Sequence, residues 1–331
     1  MLTLSGATAE TQNGHPLSWI GQKLVRPECV LVTAAGDTYT ADWRGGVAHI
    51  LASGEQRLYL PSDQQNPPLK PNGIALLNDG SFLIAHLGAE TGGIFALTRQ
   101  GVCTPWLLDV DGLVLPPTNF VVQDQKGRTW ITVSTRLTPR ALGYRNTCKD
   151  GFIVMVDADG NARIVGDGLG YTNECLIDAR GDFLYVNETF ARKLSRFPIL
   201  ESGSLGAKEV VYEFGPGTFP DGLALDVEGG IWVVSIISNR IIRIAPNGTA
   251  STWLEDSDPK HLQEVEAAYQ THTLGRPHLD QVRSKVLKNI SSLAFGGHDL
   301  RTGHLGCLLG DSIAQVFMPV AGHPPIHWNY A

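Results

Sequence analysis

The chain is expected to fold as an all-β, six-bladed β-propeller of four-stranded antiparallel blades, and three observations lead to that expectation. Turn glycines recur at blade-like intervals: Gly36, Gly80, Gly127, Gly181 and Gly229 are separated by 44, 47, 54 and 48 residues, close to the roughly 40–50-residue period of propeller repeats. Each glycine lies eight positions after a polar residue, namely Glu28, Asn72, Asn119, Asn173 and Asp221. Between the two runs an apolar stretch such as Cys29-Val-Leu-Val, and after the glycine comes a second one such as Gly127-Arg-Thr-Trp-Ile-Thr-Val. That is the pattern of two strands joined by a tight turn.

Taken in chain order, each of the first five units opens at its polar residue and continues through two hairpins. In the third, Phe152-Ile-Val-Met-Val and Ala162-Arg-Ile-Val flank the turn Asp157-Ala-Asp-Gly-Asn, a hairpin signal. The fifth repeats this with Ile241-Ile-Arg-Ile, Pro246-Asn-Gly and Thr249-Ala-Ser-Thr-Trp. A degenerate sixth copy opens at Ser291 and places Gly296-Gly297 in the turn. Closure of the ring is expected to use the N-terminal segment as a strand of the last blade. Because one blade cannot bury both of its faces, the large aromatics read as second-strand residues, Trp43, Trp130, Trp232 and Tyr185, are expected to pack between blades.

The whole chain, 1–331, reads as one propeller domain with a helical insertion at about 255–289. Asp258 is a natural N-cap, Pro259 suits the first helical position, and Leu262, Val265 and Tyr269 share a face. That helix ends by Gly275 and Pro277, and a second helical stretch is expected from Leu279 to Lys288. The insertion reads equally as a lid, a subunit contact or surface decoration.

Composition removes several function classes. With 331 residues, 43% of them hydrophobic, the chain can bury a large core, and a net charge of −7 offers no basic face for phosphate backbones. No apolar run reaches the length of about 18 residues that a membrane helix needs, and Met1 to Gly14 lacks a secretory pattern. The expectation is a soluble, cytoplasmic protein, a monomer or small homo-oligomer, acting on a small molecule without nucleic acid or membrane. The five cysteines show no CxxC pair and read as reduced thiols. GxSxG and HExxH are absent, and Pro324-Pro325 forbids a helix that would align His323 with His327.

In a propeller the innermost strands line a central channel, so residues at one register meet at one height. The converging set is Glu28, Asn72, Asn119, Asn173, Asp221 and Ser291. Oxygen donors without imidazole or thiolate favour a hard cation, Ca2+ first, with Zn2+, Mn2+ or Mg2+ as substitutes. Two converging carboxylates without a cation would repel and raise one pKa.

Arg26-Pro-Glu-Cys-Val, Pro71-Asn-Gly-Ile-Ala, Thr172-Asn, Phe219-Pro-Asp-Gly-Leu-Ala-Leu and Leu293-Ala-Phe-Gly-Gly-His-Asp-Leu resemble the gluconolactonase and regucalcin family of six-bladed propellers. The resemblance runs from about Pro27 to Met318. It implies a metal held by Glu28, Asn173 and Asp221, with Asn119 beside the metal or substrate, and a Ca2+-dependent hydrolysis of a lactone or related cyclic ester. The metal would act as a Lewis acid, Asp221 would position or activate water as the catalytic residue, and Asn72 would hold a water or substrate hydroxyl. Arginines of the loop after the third unit's second strand, Arg136, Arg140 and Arg145, read either as bidentate contacts to a substrate carboxylate from a cover over the channel mouth, Arg136 and Arg140 first, or as solvated surface residues.

One departure concerns the residue after Asn173, commonly Gly in that family and Glu174 here. Glu174 either enters the site as an added acid or base or turns away into a loop contact. The first alternative would favour a metal-dependent lyase, hydratase or isomerase; a non-catalytic calcium-binding propeller is a further reading.

Overall fold

In a computed structural model that describes residues 9–10, 14–63 and 68–330, six four-stranded antiparallel blades are arranged as a propeller. Their innermost strands are Val30–Val32, Pro71–Leu76, Thr118–Gln123, Thr172–Ile177, Phe219–Leu225 and Ile290–Gly296. Blades one to five run outward in chain order. The sixth takes three strands from the C-terminal part of the chain and its fourth, Pro16–Ile20, from the N-terminal part, paired antiparallel with Ile313–Phe317, and the two-residue strand Ala9–Glu10 adds a fifth on the outer edge of Pro16–Ile20. Chain ends thus meet in one sheet, as the sequence suggested. Among the described residues no helix is long and apolar enough to cross a membrane.

All six turn glycines adopt left-handed backbone, with φ of 85°, 81°, 74°, 75° and 79° for Gly36, Gly80, Gly127, Gly181 and Gly229. In the sixth blade Gly297 takes this role, at 78°. Side chains with a Cβ are strained there.

Below the turns of blades three and five, one buried carboxylate collects two donors. Trp130 Nε1 and Arg128 Nε donate to Asp124 Oδ2 at 3.0 and 2.6 Å; Trp232 Nε1 and Arg243 Nε donate to Asp226 Oδ2 at 2.9 and 2.7 Å. Both indoles are fully buried, and Tyr185 packs half-buried against the blade-five cluster that contains Leu223 and Val233.

Trp43 departs from the expected pattern. It follows the strand Thr38–Asp42 and lies half-buried beneath two cations, with the Arg26 guanidinium 4.4 Å and the Lys70 ammonium 5.2 Å from its ring. Counting three residues from the turn glycine, as for Trp130 and Trp232, leads instead to Tyr39, which is buried and stacked on His49 at 4.2 Å.

Within the insertion, α1 spans Pro259–Gln270 and Asp258 caps it by accepting the His261 N–H at 2.7 Å. Val265 and Tyr269 are buried against Phe190, Phe219 and Ile236 of blades four and five. The Tyr269 hydroxyl donates to the Phe190 carbonyl at 2.5 Å, and Arg192 joins Glu266 at 2.7 Å while stacking 3.9 Å from the Tyr269 ring. The second helix, α2, is Arg276–Asp280 rather than Leu279–Lys288. The later part of the expected span is not helical: the amides of Lys285, Val286 and Leu287 all donate to the Asp256 carboxylate, at 3.0, 2.8 and 2.8 Å.

Replacing Asp226 leaves the Trp232 N–H and the Arg243 guanidinium without their shared acceptor. Asp226→Ala should lower stability by about 3 kcal/mol, read as a shifted denaturant midpoint; a change below about 1 kcal/mol would mean the cluster is not a structural anchor.

Candidate active site

Each polar repeat position sits at an interruption of its strand. The inner strands lose regular register between Pro71 and Ile74, Thr118 and Phe120, Thr172 and Cys175, Pro220 and Leu223, and Ile290 and Ser292. In blade one the strand begins only at Val30, past Glu28. A bulge re-aims a side chain that regular pleating would lay against a blade face. Close packing of the inner strands around the axis also explains the glycine after Asp221: a Cβ on Gly222 would lie 2.6 Å from the Ser291 carbonyl oxygen.

Glu28, Asn119, Asn173 and Asp221 together line one cavity of about 20 Å3, on the face covered by the insertion. That is room on the scale of one water or ion.

The donors are fixed from behind. Arg26 Nε and Nη2 donate to Glu28 Oε2 at 3.0 and 2.8 Å, and Trp43 supports that guanidinium from below. Asn119 Nδ2 donates to Ser134 Oγ at 2.7 Å, and Asn173 Nδ2 donates to Thr189 Oγ1 at 2.9 Å. With its nitrogen engaged, Asn173 Oδ1 is buried without a hydrogen-bond partner. Burial raises the Asp221 carboxyl well above its ordinary value, Glu28 and Glu174 add to the rise, and Arg26 and Arg140 offset part of it through space.

Other expected residues lie elsewhere. Asn72 is buried behind the cavity wall and donates to Asn119 Oδ1 at 2.9 Å and to its carbonyl at 3.1 Å, so it orients a donor rather than lining the space. Ser291 Oγ donates to the Glu28 carbonyl at 3.1 Å. Arg140 lines the cavity, whereas Arg136 grips Asp167 with two hydrogen bonds of 2.8 Å and stacks on Phe152. Arg145 is half-buried, does not line the cavity and donates to the Leu142 carbonyl at 2.5 Å.

Glu174 turns away from this cavity. Its side chain lines a separate space of about 230 Å3 in the central channel, on the other side of the polar ring, where His327 and Ile326 form part of the wall. Burial pushes its pKa up to about 8; Ser292 lowers it and Glu28 raises it.

Sequence reasoning missed Arg26, Tyr144 and Arg276 in the cavity wall. Arg26 stood two residues from Glu28, and that spacing was its one signal. Arg276 belongs to no repeat and arrives only through the path of the insertion.

Among the described residues no three His, Cys, Asp or Glu side chains cluster as metal ligands. The arrangement present is a mixed one: two carboxylates and two amides, one amide oxygen buried without a partner. Such a donor set fits a hard divalent cation.

A family model described as SMP-30/Gluconolactonase/LRE-like region matches residues 27–255. The chain is 27% identical over 227 residues to the 6-deoxy-6-sulfogluconolactonase of Pseudomonas putida, covering 64% of this chain and 64% of that relative, just under two thirds of its length. Its fold is similar to that of the calcium-binding protein regucalcin from Agrobacterium tumefaciens, with TM-score 0.66 and 18% identity over 95% of this chain and 98% of the other. A gluconolactonase from Xanthomonas campestris is similar with TM-score 0.66 and 14% identity over 95% and 94% of the two chains.

Glu174 makes the metal-free fold pH-sensitive. Its folded pKa of about 8 lies above that of an unfolded glutamate, so the native state holds the extra proton and stability falls as pH rises toward 8, by at most about 1.4 kcal/mol per pH unit. Below about pH 6.5 the buried histidines His304 and His327, both lowered to about 4, oppose the trend. With a chelator present, melting temperature should drop from pH 6.5 to 8, and Glu174→Gln should reduce that drop while the raised Asp221 carboxyl still contributes in the same sense; an unchanged slope would remove Glu174 as a source.

Proposed function

Since this chain belongs to the SMP-30/gluconolactonase/LRE-like family, we propose that it is a divalent-metal-dependent hydrolase of a lactone or related cyclic ester, with Ca2+ the preferred ion. The observation that supports this most is the buried, unpartnered Asn173 Oδ1 in a cavity also lined by Glu28, Asn119 and Asp221. Glu28, Asn173 and Asp221 would hold the ion and Asn119 would complete the set. When bound, the cation supplies Lewis-acid polarisation of the ester carbonyl and balances the two carboxylates.

The protein side chains do the remaining work. Asp221 orients the attacking water and takes its proton, a role open to a carboxylate at the rim of the cation site. Arg26 fixes Glu28 with two hydrogen bonds, while Ser134 and Thr189 engage the amide nitrogens of Asn119 and Asn173 and leave Asn173 Oδ1 without a partner. The covering loop with Arg140 and Tyr144 and the insertion with Leu279 exclude bulk water once closed. Water adds to the carbonyl carbon as Asp221 takes its proton, the ring C–O bond breaks, and that proton passes from Asp221 to the ring oxygen, which leaves as the hydroxyl of the ring-opened acid.

The lyase reading called on Glu174 as an added acid or base. Since that carboxyl lies behind the ring, hydrolysis is preferred here.

Purified protein with Ca2+ should release acid from a panel of five- and six-membered sugar lactones, followed in a pH-stat. Chelation should abolish this, and Asp221→Asn should lower kcat by about 10²–10⁴-fold. Calcium binding without turnover of any lactone would instead favour a non-catalytic calcium-binding propeller.

A further inference from the structure

Three guanidinium groups, from Arg26, Arg140 and Arg276, line the cavity, and they are not equivalent. Arg26 is bound to Glu28 and stacked on Trp43. Arg140 is different: Nε donates to the Tyr171 hydroxyl at 2.7 Å, and Nη1 is buried with no partner. Among the described residues no carboxylate lies within ion-pair distance of it. An ionised group buried without a counter-charge is costly, and proteins keep such groups where a ligand supplies the missing charge.

Arg276 approaches from the other cover. It opens α2, donates Nε to Asp280 Oδ2 at 3.0 Å and Nη2 to Oδ1, and remains half exposed. Both arginines adjoin one side chain, Tyr144: burial pushes that phenol up, but Arg140 and Arg276 more than offset this and hold it below its ordinary value. The third-blade loop and the insertion therefore bring two guanidinium groups to one end of the cavity. A divalent cation already balances Glu28 and Asp221, so it leaves Arg140 unmatched. Guanidinium forks match the oxygens of carboxylate, phosphate or sulfonate.

We propose that the substrate bears an anionic group away from its scissile ester, received by Arg140 and seconded by Arg276, so that the helical insertion is a charge-selecting cover. The proposal rests on the ester-hydrolase reading for the reaction and on Arg140 for the anion. It gives the insertion a function: α2 carries the second arginine to the cavity wall.

The test compares four six-carbon aldonolactones that differ only at carbon six, carrying hydroxyl, carboxylate, phosphate or sulfonate. At least one anionic form should exceed the neutral one in kcat/KM by tenfold or more, and the arms identify which anion fits. Arg140→Gln and, should that variant fold poorly, the half-exposed Arg276→Gln should each shrink the anionic-to-neutral ratio by at least threefold, through KM more than kcat. Calorimetric binding of the ring-opened, carbon-six-charged aldonates should weaken in the same variants. Equal kcat/KM for neutral and charged lactones, or ratios unmoved by both substitutions, would overturn the proposal and leave lactone hydrolysis standing. Arginine-dependent binding of the charged aldonates without turnover of any lactone would sustain the anion site and overturn the hydrolase reading.

Discussion

Burying Glu28 and Asp221 at one axis is the constraint on which the rest of the structure depends. Taking carboxylates out of water costs several kcal/mol each unless charge and hydrogen bonds are returned to them. Arg26 answers Glu28 directly, and Trp43 below holds that arginine in place. Asp221 has only distant positive charge, and burial raises it. A divalent cation, the proposed occupant, would meet both needs at once. Glu174 is the third carboxyl of the group, and it is kept largely neutral by its surroundings.

The blade count, the turn glycines, the closure by Pro16–Ile20 and the cap at Asp258 could all be read from residue types and spacing. Each depends on local backbone chemistry: positive φ at Gly36 and its counterparts, strand alternation, a carboxylate placed to accept the His261 N–H. Convergence of Glu28, Asn119, Asn173 and Asp221 on one cavity also follows from the eight-residue offset. Spacing alone, however, does not distinguish those four from Asn72, which has the same offset yet stands behind Asn119. Bulges at each polar position decide which way the side chain turns, and nothing in the pattern of apolar residues announces a bulge.

What could not be read depends on contacts between segments far apart in sequence. Arg136 and Arg140 look alike in the chain, but Asp167 draws the first to the flank while Tyr171 draws the second inward. Residues 285–287, expected to be helical, are instead held by Asp256, whose carboxylate collects their three amides. Trp43 resembled its fellow tryptophans by residue type, and only the count from Gly36 separates it from them. In each case a charged or polar group selected its partner across the fold, and local propensity carried no trace of the choice.

The covers and the ring have separate origins: the ring comes from the repeat, whereas the covers come from two irregular segments. The proposed chemistry would then belong to the part shared among blades, and the proposed selectivity to the part that is not. The account stands or falls on where a cation binds. Crystals soaked in Mn2+ or a lanthanide and measured for anomalous scattering should show a peak within coordination distance, about 2.0–2.6 Å, of oxygens from Glu28, Asn173 and Asp221. An ordered cation elsewhere, with no peak among those three side chains at saturating ion, would contradict it.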